Sequence, residues 1–380
     1  MKRIGILTLD SRIYNYGGLL QEYALFKIIE NSNFEVEIID YDNYSEANTF
    51  SYKRGFKYFS LKKFIHKIEL KLNIGETSSD TSLPAESKQL FDEFRKKYLT
   101  FSERCDQRDI KRICEAYDYV ICGSDQIWNP AYNIPSFFLN FLSNNKGKII
   151  YAASLGVSKL TRLQKKTYSK LLIGIKNVSV REKNAKEIIQ QLTDSEVKLV
   201  LDPTLLLKKK DWIGLMNCDF CEKDYIFCYF LGMSKEKINA ASKFAKKNKL
   251  KIISIPFANS EISEKEFSTY KEPVGPLEFL ELIYNAKIIL TDSFHACVFS
   301  IMFDRPFRVF SRSNLNTNMD GRLETLLRYI NKPEYMIKPD NLDDVEIELN
   351  NSYDYSNIDK ERKNSIKWLK DAIENENKST

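Results

Sequence analysis

The chain has 380 residues, of which 43% are hydrophobic, with seven cysteines and a net charge of +6. That length exceeds one ordinary domain and supplies enough apolar material for two packed cores, while no apolar run reaches the roughly 20 residues of a membrane helix. The cysteines are odd in number and scattered, which suits a reducing compartment rather than a disulfide framework, and the lysine excess is too diffuse to argue for nucleic acid.

The opening MKRIGILTLDS starts like a leader, but its apolar run meets Asp10 at once, and Ile4 to Leu9 reads as a first strand. A loop with Gly17 and Gly18 follows, then a helix with Leu20, Ala24, Leu25, Ile28 and Ile29 at helical spacing. Val36 to Ile39 is a second strand, completing a βαβ unit. Glycines at the helix entry let backbone approach a ligand closely, or simply serve a tight turn. The pattern is not GxGxxG, so no dinucleotide site is expected.

Tyr52 to Leu72 is basic and amphipathic, with seven Lys or Arg against the single acid Glu69. Such a segment either lies on an anionic membrane surface or, the commoner case, packs its apolar face as a solvated helix. His66 falls here, where an exposed or packing role is expected; residues Asn73 to Glu86 read as a polar loop.

After a helix over Glu86 to Tyr98, Tyr119 to Cys122 is a third strand that ends in GSDQIWNP, placing Gly123, Ser124, Asp125 and Asn129 at its carboxyl end. Lys148 to Ala153 is a fourth strand, followed by Ser154; Val178 to Arg181 a fifth, followed by Glu182; Lys198 to Leu201 a sixth, followed by DPTLLL. The strands thus deliver small or polar residues at one end, the edge where open α/β sheets bind ligands.

A second lobe begins near Lys223. Its expected elements are a strand over Tyr225 to Tyr229, a helix over Lys235 to Asn248, a strand over Lys251 to Pro256 and a helix with Pro276 near its start. Ile288 to Leu290 is then a buried strand, and Thr291, Asp292 and Ser293 form a polar turn into a helix that begins with Phe294 and His295. Arg305 to Phe310 is a further strand, and Lys360 to Glu374 a helix that packs back on one of the lobes. The expected fold class is α/β, with two Rossmann-like lobes facing across a cleft: an N-terminal lobe over 1–215 with a basic helical insert at about 43–110, a C-terminal lobe over 222–350, and a helix over 356–376.

Candidate chemistry gathers at the strand ends. His295 is one of two histidines and exchanges protons near neutral pH. Asp292 and Ser293 beside it either orient the ring and bind substrate or cap the helix. Arg181 offers bidentate binding of carboxylate or phosphate, or a structural ion pair. There is no GxSxG elbow and no Walker loop. Cys218 and Cys221 form a CxxC without further zinc ligands at suitable spacing, so no metal is expected.

The ordered series NYGGLLQEYAL, ICGSDQIWN, YAASLG, VSVREKNA, LDPTLLL, GPLEFLELIYNAKIILTDSFHA and DRPF resembles the polysaccharide pyruvyl transferase family, from residue 5 to about 310. The resemblance implies a GT-B-like architecture and transfer of pyruvate from phosphoenolpyruvate to a sugar hydroxyl pair of a glycan, with ketal formation, in cell-surface polysaccharide biosynthesis. It implies no cofactor. On this chain it assigns His295 and Arg181 to phosphoenolpyruvate, His295 for proton transfer and Arg181 for the anion. Asp125 and Asn129 are candidates to hold or deprotonate the sugar, Asp292 joins His295 and Asp125 as a candidate catalytic residue, and Ser293, Gly17, Gly18 and Ser154 as candidates for substrate binding. The C-terminal lobe is the expected donor side and the N-terminal lobe the acceptor side. Some members carry Arg or Gly around the histidine, whereas here Phe294 precedes it and Ala296 and Cys297 follow. The replacement candidates for the missing arginine are Arg305, Arg308, Arg312 and Arg322.

Two other functions fit the same elements: a nucleotide-sugar-dependent glycosyltransferase and a noncatalytic glycan-binding protein. The expected setting is cytoplasmic, with a glycan acceptor that is lipid- or nucleotide-linked, no nucleic acid, and peripheral association at the inner face of the membrane through the basic segment.

Overall fold

The computed structural model describes residues 1–9, 12–43, 46, 83–143, 146–216, 222–232, 234–255, 267, 270, 272–312, 320–344 and 352–374. The basic segment with His66, most of the polar loop after it, and Cys218 and Cys221 lie outside the described residues.

Two parallel sheets carry the fold. The first contains β1 (Arg3–Leu7), β2 (Glu35–Ile38), β3 (Tyr119–Cys122), β4 (Gly147–Ala153), β5 (Asn177–Val180) and β6 (Val197–Leu199), in the order β2-β1-β3-β4-β5-β6. The second contains β7 (Tyr225–Tyr229), β8 (Lys251–Ser254), β9 (Ile288–Thr291), β10 (Phe307–Phe310) and β11 (Met336–Ile337), in the order β11-β10-β9-β7-β8. Central strands such as YVIC and IILT are buried along their whole length. Side chains on both faces therefore lie in core, and parallel strands covered on both faces read as continuous apolar runs. In each sheet the chain reverses direction once, between β1 and β3 and between β7 and β9. Such switch points open a crevice at the strands' carboxyl ends.

Several expected boundaries shift. β1 stops at Leu7 rather than Leu9, β5 ends at Val180 so that Arg181 leaves the ladder, and β10 starts at Phe307 because Arg305 N–H turns back to the Ser300 carbonyl. β11 has two residues, too few for periodicity to reveal.

The lobes share a core. Helix α1 (Tyr16–Glu30) belongs to the first lobe, and its Tyr16 ring stacks on Phe279 of α8 (Pro276–Asn285) with centroids 4.7 Å apart. Tyr16 also donates to the Val274 carbonyl at 3.0 Å. Trp212, in the short helix α6 (Lys209–Ile213), meets Phe299 of α9 (Phe294–Met302) edge to face at 4.9 Å. All nine residues of α9 are buried, as expected of a helix that is apolar all round. The two sheets therefore do not face an open cleft along their whole length. Apolar packing closes one side, and the polar crevice lies at the strand ends.

The last helix, α11 (Ser356–Glu374), answers to the first lobe. Tyr355, just before it, donates to the Ile301 carbonyl on the second lobe. Along the helix, Ser365 Oγ accepts from Leu201 N–H at 2.9 Å, Arg362 Nε donates to the Leu205 carbonyl at 2.7 Å, and the Trp368 ring lies 6.2 Å from Tyr151. No helix among the described residues is long and apolar enough to cross a membrane.

Candidate functional site

The carboxyl ends of β3, β4, β5 and β6 converge on Arg181. Its guanidinium donates through Nη1 to Asp202 Oδ2 at 2.5 Å and through Nη2 to Asp125 Oδ1 at 2.7 Å. Asp125 sits at φ +66°, a left-handed conformation that short polar side chains tolerate, and this turns its carboxylate toward β5. Asp202 is held from behind by Thr204, which donates through its hydroxyl at 2.5 Å and its amide at 3.0 Å. Glu182 accepts from Ser154 Oγ and from Leu155 N–H, both at 2.9 Å; its other oxygen stands 4.0 Å from Arg181 Nε with no hydrogen-bond partner among the described residues. All four groups are buried.

His295 arrives from the other lobe, in the first turn of α9. Helix α9 is capped by Ser293, whose hydroxyl accepts from Ala296 N–H at 3.4 Å. The imidazole lies against Gly17 in the first turn of α1, so closely that a Cβ at Gly17 would stand 2.0 Å from Nδ1. Nε2 is 3.8 Å from Asp202 Oδ2, beyond hydrogen-bond reach, and has no partner among the described residues. Glycine at position 17 is thus required by close approach between lobes. Gly18 serves the turn instead: its N–H donates to Asn15, the cap of α1, at 2.7 Å.

The electrostatics follow from burial. Burial lowers the His295 pKa from its ordinary value, and Asp202 and Asp125 offset this only in part, so the ring is neutral near pH 7. Burial works to raise the pKa of Asp125 and Asp202, but Arg181 and then His295 outweigh it and hold both below the usual carboxylate range. For Glu182 burial wins over Arg181 and Arg322, and its pKa is raised.

Not every expected residue joins this cluster. Asp292 does not face His295; its carboxylate accepts from the amides of Leu231 at 2.6 Å and Gly232 at 3.0 Å, and pairs with Lys237 at 2.6 Å. It fills the switch point of the second sheet with protein charge, leaving those amides unavailable to a ligand phosphate. Ser293 acts as a helix cap. Asn129 bonds within its own loop, to Gln126 and Ala131 N–H. Ser154 positions Glu182. Arg181, expected to take an anion, has both terminal nitrogens engaged by aspartates. Asp202 joins the site without having been among its expected residues, although an acid directly after a strand end is a usable signal, and Arg322 is one of four candidate arginines that local sequence does not rank.

Residues 15–314 match the family described as polysaccharide pyruvyl transferase. The chain belongs to this family. It is therefore a transferase family member, and the family implies a glycan acceptor. Among solved structures, the chain is similar to the UDP-GlcNAc 2-epimerase of Methanocaldococcus jannaschii, with a TM-score of 0.52 and 14% identity over 97% of this chain and 99% of that one. It is also similar to the UDP-GlcNAc 2-epimerase of Neisseria meningitidis, with a TM-score of 0.46 and 11% identity over 97% and 99%. For the glycosyltransferase SsfS6 of Streptomyces sp. SF2575 the TM-score is 0.40, with 10% identity over 97% and 96%. The fold is GT-B-like. Compared with curated proteins, the sequence matches none significantly. Among the described residues no group of histidine, cysteine and acids is arranged to hold a metal ion.

Proposed function

We propose that this transferase moves pyruvate from phosphoenolpyruvate to two hydroxyls of a sugar in a glycan, forming a cyclic ketal and releasing phosphate. The observation that carries the reading, within a pyruvyl transferase family, is the buried imidazole of His295, whose Nε2 has no hydrogen-bond partner among the described residues and stands 3.8 Å from Asp202. It stands beside an arginine that two aspartates already engage. In the reaction the enol CH2 of the donor gains a proton and becomes a methyl group. C2 forms two bonds to sugar oxygens and loses its bond to the phosphate oxygen. Of the two protons given up by the sugar hydroxyls, one balances the methyl and the other leaves with phosphate.

A neutral buried histidine suits the first of these transfers. His295 takes a hydroxyl proton at Nε2, Asp202 stabilises the imidazolium that results, and the ring returns the proton to the enol carbon. Arg181, fixed by Asp125 and Asp202, is a rigid, charge-compensated part of the wall rather than a flexible anion hook. Asp125 therefore acts through Arg181 and is not the base that deprotonates the sugar. The donor lies between Arg181 and the second lobe, and the acceptor enters from the first.

The nucleotide-sugar alternative would need phosphate-binding amides at the second sheet's switch point, which Asp292 occupies. The deciding experiment supplies phosphoenolpyruvate labelled in its pyruvyl carbons to the enzyme with pooled glycan acceptors. Label should enter glycan with stoichiometric phosphate release, and His295→Ala should lower the rate by about a hundredfold or more. Transfer of sugar from a UDP-sugar, with no label entering glycan from phosphoenolpyruvate, would overturn the reading.

A further inference from the structure

Helix α10 (Gly321–Tyr329) brings a second arginine to the site from the far side of the chain. Its cap residue, Asp320, accepts from Ser311 Oγ at 2.5 Å and from Arg312 N–H at 3.1 Å, which ties the helix start to the end of β10. Its first turn then packs on the first turn of α5 (Lys183–Gln190), the helix that follows Arg181 and Glu182. Lys183 N–H donates to Thr325 Oγ1 at 3.3 Å, and a Cβ on Gly321 would stand 2.9 Å from Asn184 Oδ1. So close a contact between lobes fixes where the next residue, Arg322, can go.

Arg322 is 9% exposed, yet its Nε has no hydrogen-bond partner, and among the described residues no carboxylate lies within ion-pair distance of its guanidinium. Asp125 and Glu182 act on it only at longer range. It lies over the same face-bearing ring as Arg181: the two guanidiniums are 5.9 Å and 4.8 Å from the centroid of Phe294, the residue before His295. Of the other three candidate arginines, two are engaged elsewhere, and the third, Arg312, is near enough to repel Arg322. Arg308 lies over Tyr335 and donates to the Phe307 carbonyl, Arg305 lies over Tyr284, and Arg312 belongs to the β10 end held by Asp320. A buried guanidinium without a counter-ion costs the free protein stability, and a ligand anion removes that cost.

We propose that Arg322 is the phosphate-binding residue of the site, reaching the donor's phosphate group from the second lobe. The donor's identity as phosphoenolpyruvate rests on the function proposed above; the anion site itself does not. The two cations have different work. Arg181 has two carboxylates at hydrogen-bond distance, whereas Arg322 feels Asp125 and Glu182 only at longer range and gains a direct counter-ion when the phosphate arrives, and Phe294 between them tempers their repulsion by offering its π face to both.

The test uses the full chain and two probes. Inorganic phosphate, compared with chloride at equal ionic strength, should raise the melting temperature of the wild type and leave Arg322→Gln unchanged. Without phosphate, Arg322→Gln should melt at or above the wild-type temperature, because an unpaired buried charge has been removed. With phosphoenolpyruvate as the second probe, Arg322→Gln should raise KM roughly 10- to 100-fold, and Arg322→Lys should fall between, keeping charge but losing bidentate geometry. Arg305→Gln should behave as wild type. A full phosphate shift in Arg322→Gln, or none in the wild type, would overturn the proposal. A phosphate shift that depends on Arg322 in a protein that ignores phosphoenolpyruvate would uphold the anion site and contradict the donor assignment.

Discussion

The residue on which the two lobes meet is Gly17, and its hydrogen atom is the reason they can. Any side chain there would occupy the place of the His295 imidazole, since even a Cβ would stand 2.0 Å from Nδ1. Gly17→Ala should therefore displace the ring from its position beside Asp202. The expected cost is about 1–3 kcal/mol of stability from overpacking, with kcat falling by about a hundredfold because the proton-transferring group is misplaced by an ångström or more. Denaturant unfolding and steady-state kinetics on the same sample check both. Gly18→Ala serves as the control, since a Cβ there finds ordinary contacts at 3.4 Å and beyond. At this scale the sequence was informative in part. His295, one of two histidines, and Arg181 stood out as chemically apt residues after buried strands. Asp202 and Arg322 did not, because their roles depend on contacts with residues far away in the chain. The sequence has six arginines after β9, four of them candidates, with nothing local to rank them.

At the scale of elements, the loops at the carboxyl ends of the two sheets have opposite assignments. Those of the first sheet hold the polar cluster around Arg181. Those of the second sheet, after β7 and β9, are joined to each other by Asp292, Lys237 and the amides of Leu231 and Gly232. Asp292→Ala leaves Lys237 buried without its partner, and breaking such a pair costs about 3–5 kcal/mol. The expected outcome is a clear fall in thermal stability with kcat per folded molecule changed by no more than a few-fold. A large loss of kcat at full stability would instead return Asp292 to the reaction. Strand positions were legible because both faces of each sheet are covered, and β3 and β7 match to the residue. The assignment of Asp292 was not legible. An acid one turn before a histidine looks the same in sequence whether it faces the ring or the neighbouring strand's loop.

Across the whole molecule, the site exists only when the lobes are together. Arg181, Asp125, Asp202 and Gly17 belong to the first lobe, His295 and Arg322 to the second, and the shared aromatic core around Tyr16, Phe279, Trp212 and Phe299 holds them in register. Helix α11 adds a strap, starting beside Ile301 on the second lobe and ending on the first, where Lys2 Nζ donates to the Ile373 carbonyl at 2.7 Å. The sequence identified that helix by its apolar spacing but not its destination, because an amphipathic face fits either lobe. The two-lobed α/β organisation was legible from alternating strands and helices alone, whereas the closed, aromatic side of the interface was not, since core residues carry no mark of which sheet they cover.

If His295 is a neutral ring buried against the first lobe, with the phosphate-bearing donor bound beside it, its titration reports both. The chain's two histidines make this directly observable. Imidazole NMR on protein labelled at histidine, with the His295 resonance identified by its absence in His295→Gln, would follow the titration of that one ring. The account predicts a midpoint below the ordinary value of about 6.5, because burial outweighs Asp202 and Asp125. It also predicts that saturating phosphoenolpyruvate raises the midpoint, since a nearby anion favours the imidazolium. An ordinary midpoint that phosphoenolpyruvate does not move would contradict the account.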